Sequence, residues 1–350
     1  MIADIPRACF ASDNYAGICP EAWAAMAAAN AGHAASYGND THTDVACKAI
    51  AALFGCDCDV YFVFNGTAAN SLALAALCQS YHSVICSDSA HVETDECGAP
   101  EFFSNGSKLL CGRSLHGKIL PDGVAEVAAR RKDIHYPKPK VLTVTQSTEL
   151  GTVYSPDELR ELKSVAVSHG LKFHMDGARF ANAVAALGCH PGDITWRVGV
   201  DVLCFGGTKQ GLLVGEAVVF FDRALSADFA YRCKQAGQLA SKMRYLAAPW
   251  VAMLHDGTWL RHAGNANACA ARLGRGLARI PGVEVMHPVQ ANEVFVRLPA
   301  TISTGLSRRG WKFYDFIGSG SGSARFVCGW DCQGAWVDAL LAEAAAETAA

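Results

Sequence analysis

The sequence predicts an α/β fold: a mostly parallel central sheet covered by helices, followed by a smaller α+β C-terminal domain. Three observations carry this. Short apolar runs alternate with amphipathic segments from residue 59 to residue 221. The turns between them hold Gly or small polar residues, and the texture changes after about residue 250. Strands that alternate with helices make a parallel or mixed sheet buried on both faces.

Asp59–Phe64 (DVYFVF) is the first expected strand, and Ala68–Cys78 the helix after it, with Asn65-Gly66-Thr67 between. Tyr81–Cys86 is a second apolar run, and Lys140–Thr145 (KVLTVT) a β-branched strand. Ser155, Pro156 and the following Asp157-Glu158 start a helix running to His169. Leu171–Met175 is the next strand, Phe180–Leu187 a helix, and Val200–Phe205 and Val214–Phe221 two further strands. Beyond them, Ala247–Ala278 is mostly helical, and Gly282–Leu298 reads as two strands around a turn. Arg325–Cys328 is a late strand and Ala335–Ala350 a terminal helix. The expected division is a large domain with its N-terminal segment over 1–250 and a small domain over 251–350.

The chain of 350 residues has a formal net charge of −3, with no long run of Lys or Arg. Nucleic acid and anionic membrane surfaces are therefore poor partners, and small molecules better ones. No apolar stretch reaches the length of a membrane helix. The opening MIADIPRACF lacks a basic segment before an apolar core, so no secretory leader is expected. Fifteen cysteines cannot all pair within one chain, and most lie inside apolar patterns, where Cys acts as a small hydrophobe. Cys56 and Cys58 form a C-x-C with no second pair at zinc-site spacing. A reducing cytoplasm is the expected compartment, and no metal site is expected.

In an open α/β sheet, ligands collect beyond the carboxyl ends of the strands, and three such ends carry unusual residues. Gly66-Thr67 offers close backbone approach, a hydroxyl and a helix N-terminus, which together suit a phosphate. A tight turn with a Thr cap is the plain alternative. Asp176 ends the strand in LKFHMDGAR, with Arg179 at the same rim; a surface ion pair would explain both equally. Lys209 follows Gly206-Gly207-Thr208, a flexible turn after a buried strand, and alone would be one more solvated lysine. The 33 residues from Asp176 to Lys209 leave room for one helix and one strand, so both side chains can reach one sheet edge. Pyridoxal phosphate (PLP) needs this combination: a lysine for a Schiff base, a carboxylate beside its pyridine nitrogen, and a phosphate cradle.

With these residues in view, the chain resembles the threonine aldolases, of the low-specificity L-threonine and phenylserine type, among the fold-type I PLP-dependent enzymes. SDNYAGICPEAW is similar to the family's opening Ser-Asp motif, YGND at Tyr37–Asp40 to its Tyr-Gly-Asp-Asp, and NGTAAN at Asn65–Asn70 to its phosphate-binding segment. AHVETDECG, MDGAR, the Thr208-Lys209 pair and SARFV at Ser323–Val327 complete the likeness. The resemblance implies that Lys209, His91 and Asp176 are catalytic. It implies that Gly66, Thr67, His91, Asp176, Arg179, Thr208, Lys209 and Lys234 hold the cofactor. Ser12, Tyr37, Glu149, Arg179 and Arg325 would bind substrate. Tyr37, Lys234 and Arg244 would complete the site of a neighbouring subunit in a homo-oligomer, a dimer or tetramer, although Lys234 could equally lie on a solvated helix face. Two departures stand out: Thr208 where the family has Ser, and Glu149 where it commonly has His. They leave phenylserine-type substrates open.

The implied reaction is retro-aldol cleavage of a β-hydroxy-α-amino acid to glycine and an aldehyde. Arg179 and Arg325 would clamp the α-carboxylate, and His91 would stack on the cofactor ring, act as base, or both. His174 should share a strand face with Asp176 as a supporting partner. An aminotransferase or decarboxylase would use the same Asp, Lys and phosphate cradle, and a non-catalytic binding protein of this fold would too. A nicotinamide oxidoreductase is the reading that Gly318–Gly322 suggests, but a strand rather than a helix is expected after it.

Overall fold

The computed structural model describes residues 9–316 and 321–347. The first eight residues of the expected leader-free start, most of the Gly318–Gly322 loop and the last three residues of the terminal helix lie outside the described residues. Seven strands form the main sheet: β1 (Asp59–Val63), β2 (His82–Ser87), β3 (Lys108–Gly112), β4 (Lys138–Thr145), β5 (Lys172–Gly177), β6 (Val202–Phe205) and β7 (Glu216–Phe220). Their spatial order is β1-β7-β6-β5-β4-β2-β3. The run from β6 to β3 is parallel, whereas β7 runs antiparallel to both β6 and β1. The sheet is thus mixed, with a parallel run of five strands reaching the β3 edge and the antiparallel pairs at the other end. Strands β2, β6 and β7 are buried at every position, because helices cover both faces.

The helices follow their capping chemistry. Helix α1 (Pro20–Ala29) and α2 (Thr41–Phe54) precede the sheet, and Asp40 caps α2 by accepting from the Thr43 N–H at 2.9 Å. Helix α3 (Gly66–Leu77) follows β1; its cap is Asn65, which accepts from the Ala68 N–H at 2.9 Å, and not the Thr67 expected in that role. Helix α4 (Pro156–Ser168) opens with a reciprocal box. The Ser155 hydroxyl accepts from the Glu158 N–H at 3.2 Å, and the Glu158 carboxylate from the Ser155 N–H at 2.7 Å. Such a cap contributes about 1 kcal/mol. Helix α5 (Phe180–Leu187) lies between β5 and β6 and ends at Gly188 with φ of 60°.

The expected helical stretch after residue 247 is two helices. α6 (Arg244–Leu254) and α7 (Thr258–Leu277) are separated where Asp256 and Gly257 adopt φ of 50° and 66°. Residue 250 falls within α6. Trp259 and Ala263 on α7 belong to the core of the main sheet, while Leu273 and Leu277 pack with Val294, Phe326 and Leu340 in a second core. That core lies against four antiparallel strands, β8 (Glu284–Val285), β9 (Glu293–Arg297), β10 (Tyr314–Asp315) and β11 (Ser323–Val327), in the order β8-β9-β11-β10. Helix α8 (Gly334–Ala346) closes it. Phe10, near the start of the chain, is buried in this same second core.

The Gly206-Gly207 segment is not a flexible turn. A Cβ at Gly206 would collide with the backbone of Ala178, and one at Gly207 would lie 2.5 Å from Leu212 Cδ1 and 2.6 Å from the Gly215 carbonyl. Across the sheet, a Cβ at Gly177 would lie 2.7 Å from the Cys204 carbonyl. These glycines let the ends of β5 and β6 lie flush, and the Gly206 N–H donates to the Gly177 carbonyl at 2.9 Å. Gly206→Ala is expected to lower stability by about 1–3 kcal/mol, the usual cost of overpacking. Denaturant unfolding beside Gly66→Ala, whose Cβ would meet nothing within 4 Å, checks this.

Candidate active site

The carboxyl ends of β4, β5 and β6 and the start of α3 surround a cavity of about 260 Å³. Cross-strand register pairs Thr145 with Asp176, and Asp176 with Cys204, so the strand ends present their side chains at one rim. Gly66, Thr67, His91, Asp176, Arg179 and Lys209 all line the cavity, and Glu149 and Thr208 join them. These eight of the positions singled out from sequence therefore line one cavity.

A connected set of hydrogen bonds fixes the cavity's acidic wall. Asp176 is buried; its Oδ2 accepts from Asn70 Nδ2 at 2.7 Å and its Oδ1 from the Ala178 N–H at 2.9 Å. Asn70 Nδ2 also donates to Glu96 Oε1 at 2.9 Å, and Glu96 Oε1 lies 2.8 Å from His91 Nδ1. Burial raises the Glu96 carboxyl above the usual range, against the opposing bonds from His91 and Asn70. The bond to Glu96 raises the His91 imidazole in turn, outweighing its burial. The His91 N–H donates to Glu149 Oε1 at 2.8 Å, which also accepts from the Thr145 hydroxyl at 2.6 Å. Enclosure pushes Glu149 up to about 7. The ligand-type atoms of His91, Glu96 and Asp176 lie within 4.8 Å of one another. These hydrogen bonds account for that cluster, and we assign it no metal.

Arg179 forms the opposite wall. Its Nε donates to Asp13 Oδ2 at 2.7 Å and one terminal nitrogen to Asp13 Oδ1 at 3.1 Å, and it lies 3.4 Å from Glu293 Oε1. The bland alternative of a surface ion pair with Asp176 does not hold: Arg179 is buried, and its partners are Asp13 and Glu293. Burial would raise Asp13, but the charges of Arg179 and Lys209 hold it below the usual range. At the Lys209 turn, Glu216 Oε2 accepts from the Gly207 N–H at 2.6 Å. Burial pushes Glu216 up to about 7, against hydrogen bonds from Thr208 and Gly207 and the Lys209 charge.

Other expected residues lie outside the cavity lining. The Ser12 hydroxyl accepts from the Asn14 N–H at 3.2 Å as a helix cap. Arg325 stacks its guanidinium 5.2 Å from the Tyr314 ring centre and donates to the Ala11 carbonyl at 3.4 Å. Tyr37 and Lys234 meet each other, with the ammonium 4.8 Å from the ring centre. Arg244 stacks on Tyr245 at 5.1 Å. His174 shares the Asp176 face but bonds Thr143 Oγ1 at 2.7 Å and contacts Cys204 Sγ at 3.3 Å. Burial pushes its imidazole down to about 4, so it stays neutral at physiological pH.

Asp13, Asn70, Glu96, Glu216 and Glu293 were not singled out from sequence. Asn70 had a local signal, lying one helical turn after Gly66-Thr67 and hence on the same face. Glu216 and Glu293 each head an apolar strand, an acidic residue where a buried run begins. Nothing local marks the pairing of Asp13 with Arg179, which are 166 residues apart.

The fold and the converging Asp, Lys and helix N-terminus define an α/β enzyme of the fold-type I, PLP-dependent class. The chain belongs to the beta-eliminating lyase family, whose model matches residues 10–301. It is 62% identical over 334 residues to a low specificity L-threonine aldolase of a Pseudomonas species, covering 95% of this chain and 96% of that one. It superposes on the threonine aldolase of Leishmania major with a TM-score of 0.90 at 27% identity, over 96% of this chain and 99% of that one. The serine palmitoyltransferase of Sphingomonas wittichii shares the architecture alone, with a TM-score of 0.73 at 15% identity over 98% and 87% of the two chains. The family resemblance drawn from the motifs holds.

The folded-state value of Glu216 lies above its ordinary 4.5. The folded protein thus keeps a proton that the unfolded chain releases, and stability falls as pH rises from about 4.5 through 7. Glu216→Gln removes this loss. Relative to wild type, the variant is expected to gain up to about 2–3 kcal/mol in urea unfolding between pH 5 and pH 8.

Proposed function

We propose that this protein is a PLP-dependent lyase that cleaves L-threonine, L-allo-threonine and related β-hydroxy-α-amino acids such as phenylserine into glycine and an aldehyde. The observation that carries the reading is the convergence of Asp176, Lys209 and the start of α3 on one cavity. The residues fit the cofactor. Gly66 leaves open space beside the first turn of α3, where unpaired N–H groups and positive potential suit a phosphate. The Asp176 carboxylate is held by two donors, which leaves it an acceptor for a protonated ring nitrogen. Lys209 would be the covalent anchor, Thr208 a phosphate donor and His91 a ring-stacking partner. When bound, PLP supplies a conjugated ring that takes up the electron pair of the bond broken at Cα.

The chain's own residues do the rest. Asp13 occupies Nε and one terminal nitrogen of Arg179 and so fixes the plane of the guanidinium. The third nitrogen would be left for the substrate carboxylate, with Ser12 and Arg325, which donates to the Ala11 carbonyl, as its further expected contacts. Holding that carboxylate fixes the rotation about Cα, and with it which bond is broken. Aminotransferases and decarboxylases of the same fold share the anchor and the Asp, so it is the family that favours aldol cleavage. Lys209→Ala is expected to be colourless and at least about 10³-fold slower with threonine. Assay of aldehyde and glycine from threonine, allo-threonine and phenylserine checks it, and a requirement for an amino-group acceptor would overturn the reading.

The same reading includes a large unit over 1–250, a small one over 251–350, a cytoplasmic location and a homo-oligomer, dimeric or tetrameric, with shared sites. No helix among the described residues is long and apolar enough to cross a membrane. Supporting shared sites, Tyr37 is half exposed, and it and Lys234 pair away from their own chain's cavity. In a neighbour's cavity they would be functional. Lys209→Ala and Lys234→Ala chains, each inactive alone, are then expected to regain about a quarter of wild-type activity when co-assembled at random as dimers. Activity in the Lys234→Ala protein alone would count against sharing.

A further inference from the structure

The cleavage needs a group to take the proton of the substrate's β-hydroxyl, and two side chains on the acidic wall compete for that task. We infer that Glu149, not His91, is the base, with its carboxylate receiving the β-hydroxyl proton. This rests on the aldolase reading and deepens it.

Glu149 lines the cavity, and its two oxygens differ. Oε1 accepts from the Thr145 hydroxyl and the His91 N–H, so the carboxyl group is fixed in orientation. Oε2 has no hydrogen-bond partner and is shut off from solvent. An unpaired, enclosed carboxylate oxygen is costly unless a ligand or a proton meets it. A proton meets that need, so the enclosed carboxyl is disposed to take one up. His91 is differently placed. Its Nδ1 is tied to Glu96, a bond that raises the imidazole and leaves that nitrogen engaged within the wall.

The groups whose charges reach Glu149 are Asp176, Arg179, Tyr154 and Cys86, with His91 bonded through its backbone. Enclosure, and after it the Asp176 charge, brings the carboxyl near neutrality, where a base works best. In the step, the hydroxyl O–H bond breaks and its proton passes to the Glu149 carboxylate. The freed electron pair becomes the second C–O bond of the aldehyde. The Cα–Cβ pair stays with the glycine carbon, which later gains a proton, so protons lost and gained balance.

Glycine has no β-hydroxyl, and this separates a base for that group from general damage to the site. In the holoenzyme, Glu149→Gln is expected to lower kcat for threonine cleavage by about 10²–10⁴-fold and to abolish the acidic limb of kcat/KM near pH 7. Solvent exchange of the glycine α-proton is expected to stay within a few-fold of wild type. In difference infrared spectra of the protein as purified, the carboxyl band that appears on lowering the pH through 7, to which Glu216 also contributes, should be smaller in the variant than in wild type. An unchanged melting temperature and cofactor absorbance would exclude misfolding, and Glu149→Asp, which keeps the acid, should recover part of kcat. Cleavage within a few-fold of wild type, an unchanged acidic limb, or glycine exchange falling in parallel would each overturn the assignment. Failure of the wild-type protein to cleave any β-hydroxy amino acid would instead overturn the aldolase reading.

Discussion

The flush contact between the ends of β5 and β6 is the constraint on which the site depends. Asp176 and Lys209 come from different strand ends, and they face one cavity because nothing larger than a hydrogen separates the backbones beside them. Gly177, Gly206 and Gly207 each sit where a Cβ would meet backbone or core atoms under 3 Å away. A turn that looks permissive in sequence is thus a tight seat. It holds the lysine at a fixed distance from the carboxylate, and such pre-organisation is worth more to a reaction than mobility.

Around that seat the protein gathers more buried carboxyls than it has cations to match. Asp13, Glu96, Asp176, Glu216 and Glu293 are buried, and the two cations facing the cavity are Lys209 and Arg179. Isolated buried charges are costly, so such groups pair or hold protons. Each outcome is found. Asp13 takes Arg179 and stays ionised. Glu96 and Glu216 are raised by burial, although each accepts hydrogen bonds. The sheet end thereby gathers carboxyls raised by burial, Glu216 to about 7, beside a fixed cation, a pattern characteristic of sites that do acid–base chemistry.

Much of the architecture was legible because periodicity is a local property. Asp59–Val63, Lys138–Thr145 and Phe180–Leu187 lie within a residue or two of where their apolar patterns place them. The antiparallel direction of β7 was not legible, since a buried strand reads the same way in either sense. The two strands read in Gly282–Leu298 are β8 and β9, whereas the two-residue β10 carries too little pattern to mark it. In the site, residues at strand ends were found because strand ends are recognisable, and Asn70 could have been found from helical spacing. Asp13 and Glu293 could not. Their pairing with Arg179 is set by how the N-terminal segment and the small sheet fold back, at separations where local rules say nothing.

That fold-back gives the small sheet a part in the chemistry. Glu293 opens β9, Asn292 precedes it and donates to Asp13 Oδ2 at 3.1 Å, and Asp13 in turn holds Arg179 beside the main sheet. The N-terminal segment is itself pinned to the small unit, with Phe10 in its core and the Val327 N–H donating to the Phe10 carbonyl at 2.8 Å. Arg179 is therefore a junction at which the N-terminal segment, the main sheet and the small sheet meet through buried charge. A shift of the small sheet against the large one would move Asp13 and Glu293 together and rotate the guanidinium between them. Charge-assisted pairs of this kind resist such movement because separating them leaves an uncompensated buried ion. The Arg179 guanidinium is then held as rigidly as the interface behind it, and the arrangement of the second core is felt at the cavity wall.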